Sequence, residues 1–161
     1  MIFVTVGASE FDFERLLKII DEFIEEKTID EEVIAQIGTS KYKPQNYKYF
    51  KLIGNDDFEK YINDARVIIC HAGTGTVVPS LKKGKKIIIF PRLKEFNEHI
   101  DNHQLELAGV FSNKGYVLCA TNEDELIECL NNIDSFKPQI FESNAGKIDD
   151  IIIDFIESNS R

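Results

Sequence analysis

Two short apolar runs joined through a glycine turn constrain this chain more than any other feature. Val67-Ile68-Ile69-Cys70 leads into His71-Ala72-Gly73-Thr74-Gly75-Thr76. An apolar and small-residue segment continues to Leu81, followed by Lys82-Lys83-Gly84. A second apolar run, Lys86-Ile87-Ile88-Ile89-Phe90-Pro91, precedes a polar loop that ends in His99-Ile100-Asp101-Asn102-His103-Gln104. Brief Ile- and Val-rich runs suit strands covered on both faces of a parallel sheet. The predicted order is strand, glycine turn, helix, strand, loop, helix.

Gly73 and Gly75 let backbone N–H groups converge, and the helix that follows adds its unpaired N–H groups and the positive end of its dipole. Such a turn is an anion site, most often for phosphate. It also reads as an ordinary strand-to-helix connection. Two sharper phosphate motifs fail. A dinucleotide fingerprint needs a third glycine where Val78 stands, and a P-loop needs Ser or Thr where Lys86 stands.

The rest of the chain repeats the alternation. Ile2 to Val6 is a strand ending at Gly7-Ala8-Ser9, and Phe13, Leu16, Leu17, Ile20, Phe23 and Ile24 form the stripe of an amphipathic helix over Phe11 to Glu26. The Gly7 turn either lines the same cleft or is a plain connector with Ser9 or Asp12 as cap. Glu32 to Gly38 is the next strand, and Thr39 to Tyr47 is a polar loop. Tyr49 to Ile53 is a third strand, closed by Gly54-Asn55-Asp56-Asp57, and Phe58 to Asp64 is a short helix. A helix runs on past Gln104 to about Asn113. Gly115 to Cys119 is a last strand, Asn122 to Asn131 a helix with acidic residues in its first turn, and Asn144 to Glu157 a final amphipathic helix. The pattern predicts an α/β fold, a Rossmann-like parallel sheet with helices on both faces. Ligands of such sheets lie beyond the carboxyl ends of the strands. That brings Ser9, Asn55, the His71–Thr76 turn, Arg92 and Gln104 to one rim.

At 161 residues, residues 1–161 are expected to form a single domain with an adequate core. A net charge of −9 argues against nucleic acid as partner. No stretch is long and apolar enough for a transmembrane helix, and MIFVTVGASE lacks the basic start of a secretory signal. Cys70, Cys119 and Cys129 are odd in number and far apart, so they read as reduced cytosolic thiols.

The joined residues resemble a family. His71-Ala72-Gly73-x-Gly75-Thr76, Gly84-Lys85-Lys86, Pro91 and Asp101-Asn102-His103-Gln104-Leu105-Glu106-Leu107-Ala108 resemble the C-terminal domain of glycosyltransferase family 28, the donor-binding half of GT-B enzymes. The start, Met1 to Gly7 with Phe13-x-Arg15-Leu16-Leu17, and Gln36-Ile37-Gly38 with Tyr42 and Pro44, are similar to stand-alone subunits of two-component capsular and exopolysaccharide glycosyltransferases. The similarity runs over roughly residues 1 to 120. It implies a UDP-sugar donor and no other cofactor. The diphosphate would rest on Ala72, Gly73, Thr74, Gly75 and Thr76, with Gly7 beside it. Gly54 and Asn55 would face the uracil, and His103 and Gln104 the sugar hydroxyls. It implies a membrane-anchored partner subunit that brings a polyprenyl-linked acceptor, and a cytoplasmic location at the membrane's inner face through that partner. Where many members carry a glutamate that grips the ribose, this chain has Pro79, which a helix tolerates in its first turn.

Inverting transfer needs a general base and a group that stabilises the departing diphosphate. His71 and Arg92 are the candidate catalytic residues, assisting departure as donor or cation. Their plainer readings are a turn-capping His and a solvated rim Arg. No residue reads as a base, which leaves that role to the partner. His99 and His103, four apart, would share a helix face as metal ligands do, but no third ligand is evident and sugar contact is the preferred role for His103. Gln104 reads either a pair of hydroxyls or caps a helix. Lys82, Lys83, Lys85 and Lys86 suit the end of a helix. An accessory subunit that activates a partner without holding the donor is the alternative function.

Overall fold

The computed structural model describes residues 1–142. The final helix expected over Asn144 to Glu157 lies outside them. The strands are β1 (Ile2–Thr5), β2 (Val33–Gln36), β3 (Lys48–Phe50), β4 (Val67–Cys70), β5 (Lys86–Ile89) and β6 (Leu118–Cys119). The helices are α1 (Glu14–Glu25), α2 (Asn55–Asp64), α3 (Thr74–Lys82), α4 (His103–Asn113) and α5 (Glu123–Asn132), with a 3-10 turn at Lys94–Phe96. All strand pairs are parallel, in the order β3-β2-β1-β4-β5-β6.

Alternation along the central strands builds two cores. Ile2, Val4, Val67, Ile69 and Ile88 face a core with Leu16, Leu17, Ile20 and Phe23 of α1 and Leu126 of α5. Phe3, Ile68, Cys70, Ile87 and Ile89 face the other, with Ile62 of α2, Val77 of α3 and Phe111 of α4. Because both faces are covered, these strands carry unbroken apolar runs. β1 and β4 are neighbours, and from them the chain winds outward in opposite directions. Their carboxyl ends form the switch point where sheets of this kind carry ligands.

Several boundaries differ from the sequence reading. β6 pairs over two residues only, because Gly115 turns the chain at φ +73°. α2 begins at Asn55, with Asp56 and Asp57 in its first turn, where acidic side chains favour the helix dipole. Asp12 does not cap α1; its carboxylate accepts from Ser40 Oγ at 2.8 Å. Pro79 lies in the interior of α3, the sixth residue of the helix, and not in its first turn. Its ring denies Gly75 an i+4 partner, and Ser80 Oγ donates to Thr76 O at 2.7 Å beside it. Cationic Lys83, Lys85 and Lys86 gather near the end of α3. Lys85 Nζ donates to Ala65 O at 3.0 Å, and Lys86 Nζ to Asp134 O at 2.7 Å.

Candidate functional site

The site is built around His71. Its backbone continues β4, with its N–H donating to Thr5 O at 3.3 Å. Its ring fills the space between the two turns at the switch point. A Cβ at Gly7 would lie 2.4 Å from Nε2, and one at Gly73 would lie 2.1 Å from Cε1. No methyl fits at either place, so both glycines are there to admit the imidazole. Gly7 also needs its freedom for φ +74°.

Gln104, near the start of α4, fixes the state of that ring. Its Oε1 accepts from the backbone N–H of Ala72 at 3.3 Å and of Arg92 at 3.1 Å. The amide group is thereby oriented, and its Nε2–H is the group that meets His71 Nδ1 at 3.2 Å. Nδ1 is therefore an acceptor, and the neutral ring carries its proton on Nε2. Burial, then the nearby Arg92 charge, lowers the His71 pKa to about 4. His71 is a fixed donor at neutral pH, not a titrating base.

Arg92 does not stand on the rim. Only 1% exposed, it points inward and donates to Val6 O at 2.7 Å, Phe11 O at 2.8 Å and Glu98 O at 3.2 Å. Its guanidinium lies 4.8 Å from the Phe13 ring, and Nε is left without a partner. The cation ties the Gly7 turn to the loop after β5. Glu98 extends the tie, pairing with Arg15 at 2.8 and 2.9 Å while accepting Leu93 N–H at 2.9 Å. Arg92 as a direct catalytic contact is thus corrected to a buried clamp. The physical reason is the number of carbonyls that converge on it.

The glycine turn is open on its other side. Gly73 caps α3 without any side-chain hydrogen bond. The N–H groups of Thr76 and Val77 both return to Gly73 O at 3.1 Å, and that of Ala72 goes to Gln104. Thr76 is buried. So Ala72 and Thr76 do not offer amides to a ligand. The first-turn amides of Thr74 and Gly75 have no partner within the helix. A Cβ at Gly75 would meet nothing within 4 Å. This corner opens on a cleft of about 490 Å³ lined by Ala8, Gln36, Leu52, Ile53, Asn55, Phe58, Glu59 and Gly75.

Asn55 lines the cleft, and Gly54 caps α2 beside it. Gln36 Oε1 accepts Ile53 N–H at 3.2 Å and so holds the cleft's outer loop. His103 opens α4, whereas His99 lies in the preceding loop, so the two do not share a helix face. Both reach Asp101, at 2.9 Å from His99 Nδ1 and 3.1 Å from His103 Nε2. Burial opposes ionisation of Asp101, but the His103 amide and the two imidazoles outweigh it and hold the carboxyl below its usual range. Among the described residues no three metal-ligating groups converge. The Gly7-Ala8-Ser9 turn reaches the cleft through Ala8, whereas Leu52, Phe58 and Glu59 were not singled out in the sequence as lining it. The polar Gln36 within an apolar strand was the one available hint.

A parallel sheet whose switch point presents an uncapped helix end beside a cleft defines a Rossmann-like ligand-binding domain. The family model of the glycosyltransferase family 28 C-terminal domain matches residues 1–155, and the chain belongs to that family. The match extends beyond the stretch that carried the resemblance. The chain is 29% identical over 111 residues to "UDP-N-acetylglucosamine transferase subunit ALG13" of Candida albicans, spanning 69% of this chain and 36% of that protein. It is 29% identical over 134 residues to the human protein of the same name, spanning 74% of this chain and 11% of that one. The chain therefore spans about a third or less of these relatives. An NMR structure of ALG13 shares the fold with TM-score 0.65 at 21% identity, over 97% of this chain and 96% of that one. So does UDP-glucose: anthocyanidin 3-O-glucosyltransferase in complex with UDP, at TM-score 0.61 and 14% identity, over 98% of this chain and 35% of that one.

Proposed function

We propose that this chain is the UDP-sugar-binding subunit of a two-component inverting glycosyltransferase. One observation carries the reading: Gly75, in the first turn of α3 at the helix's positive end, lines the cleft at the switch point. A diphosphate there would develop negative charge as the glycosidic bond to the donor breaks, and the fixed amides would stabilise it without rearranging. His71 adds order: its neutral ring holds the Gly7 and Gly73 turns at the spacing the site needs. The reading uses no metal and no other cofactor.

The general base and the acceptor site would come from a membrane-anchored partner subunit, which presents a sugar on a polyprenyl carrier. No helix among the described residues is long and apolar enough to cross a membrane. The chain would work at the inner face of the membrane through that partner. The names of the relatives make UDP-N-acetylglucosamine the first donor to test. Capsular or exopolysaccharide synthesis is the process we assign.

Titration of UDP and UDP-N-acetylglucosamine into the purified chain, alone and with its partner, tests the proposal. Binding in at least one form is expected, and its absence in both removes the reading. Pro79 favours a second reading, an accessory subunit that activates its partner without holding the donor. Under that reading the paired enzyme keeps its activity when Gly75 is replaced by Asp.

A further inference from the structure

The cleft beside α3 has three kinds of wall. Leu52, Ile53 and Phe58 give an apolar shelf, and Gly75 sits at the helix end that suits phosphate. Glu59 lines the same cleft and is the only ionisable side chain among the lining residues. It projects from α2, and its Oε2 is gripped by Lys83 Nζ at the far end of α3. Lys83 is itself steadied by Asn63 Oδ1 at 2.9 Å. Pro79, one turn before Lys83 on the same side of α3, has no donor or acceptor in its side chain. Among the described residues nothing donates to Glu59 Oε1.

A nucleotide laid with its base on the shelf and its phosphates on the amides puts its sugar ring between the two. A ribose offers two adjacent hydroxyl donors there, and a carboxylate is an acceptor-only group with room for both. Hydrogen bonds to a charged acceptor are also roughly twice as strong as neutral ones. We infer that Glu59, held in place by Lys83, accepts the ribose hydroxyls and makes the cleft selective for ribonucleotides over 2′-deoxyribonucleotides. The acceptor thus comes from α2, across the cleft from the helix that carries the glycine turn. This inference rests on the UDP-sugar reading above.

The test is calorimetric titration with UDP and with 2′-deoxy-UDP, in whichever form, chain alone or with partner, binds UDP. The wild type is expected to hold UDP about tenfold more tightly than its 2′-deoxy analogue, the scale of one charge-assisted hydrogen bond. Glu59→Ala is expected to bring the two affinities together. Lys83→Met, which frees the carboxylate to wander, is expected to shrink the ratio partway. Both side chains are exposed, so losing their ion pair leaves the fold intact. A ratio near one in the wild type overturns the assignment, as does a tenfold ratio that survives in Glu59→Ala. In either case UDP still binds and the donor-binding reading stands. Failure of UDP to bind in any form removes that reading and this inference together.

Discussion

Gly73 and Gly75 are two residues apart on one turn, yet they belong to opposite walls of the site. Gly73 faces the closed wall, where His71, Gln104, Arg92, Glu98 and Arg15 interlock and a single added methyl meets the His71 ring. Gly75 faces the open wall, where an added methyl meets nothing and the cleft begins. The closed wall holds positions; the open wall offers unfilled hydrogen-bonding capacity. Stability and binding are thereby assigned to different residues of one motif, and substitutions should separate them.

The largest effect is expected at the centre of the closed wall. Arg92→Met leaves several buried carbonyls without a donor and should cost about 3–5 kcal/mol, read from chemical denaturation. A loss below about 1 kcal/mol would show that the clamp is dispensable.

Next comes the pH dependence of His71. Its folded pKa of about 4 lies below the unfolded value near 6.5. The unfolded chain therefore binds the extra proton first as pH falls. This contribution is complete above about pH 6.5 and is lost as pH drops toward 4, by roughly 3 kcal/mol. Comparing stability against pH for the wild type and His71→Gln isolates it, and parallel curves would contradict the enclosed neutral ring.

On the open wall, Gly75→Asp sets a carboxylate before the diphosphate. UDP affinity should fall about 100-fold, the cost of juxtaposed like charges, while stability stays within about 0.5 kcal/mol. Gly73→Ala should reverse that pattern, costing about 1–3 kcal/mol in stability through overpacking against His71. If both glycine variants changed stability and binding alike, the division into two walls would fail.

The sequence alone determined the parallel sheet, the order of its elements and the place of the glycine turn. Burial on both faces leaves Ile and Val runs that are read locally, and a glycine turn after such a run marks where backbone amides are exposed. Ends were less legible: Leu118–Cys119 is a two-residue strand, and Asn55 starts a helix that the apolar pattern first signals at Phe58. Likewise Asp21, on the buried side of α1, is held by Tyr42 and the amides of Gln45 and Asn46, which no helical stripe announces. Only the tertiary structure decided the inward turn of Arg92, the proton position on His71, and the presence of Glu59 in the cleft. These depend on partners far apart in the chain, 86 residues from Arg92 to Val6 and 33 from His71 to Gln104. Local periodicity records which side of an element is buried. Which polar group meets which across the switch point is set by how the turns pack, and that comes into being only when the sheet closes.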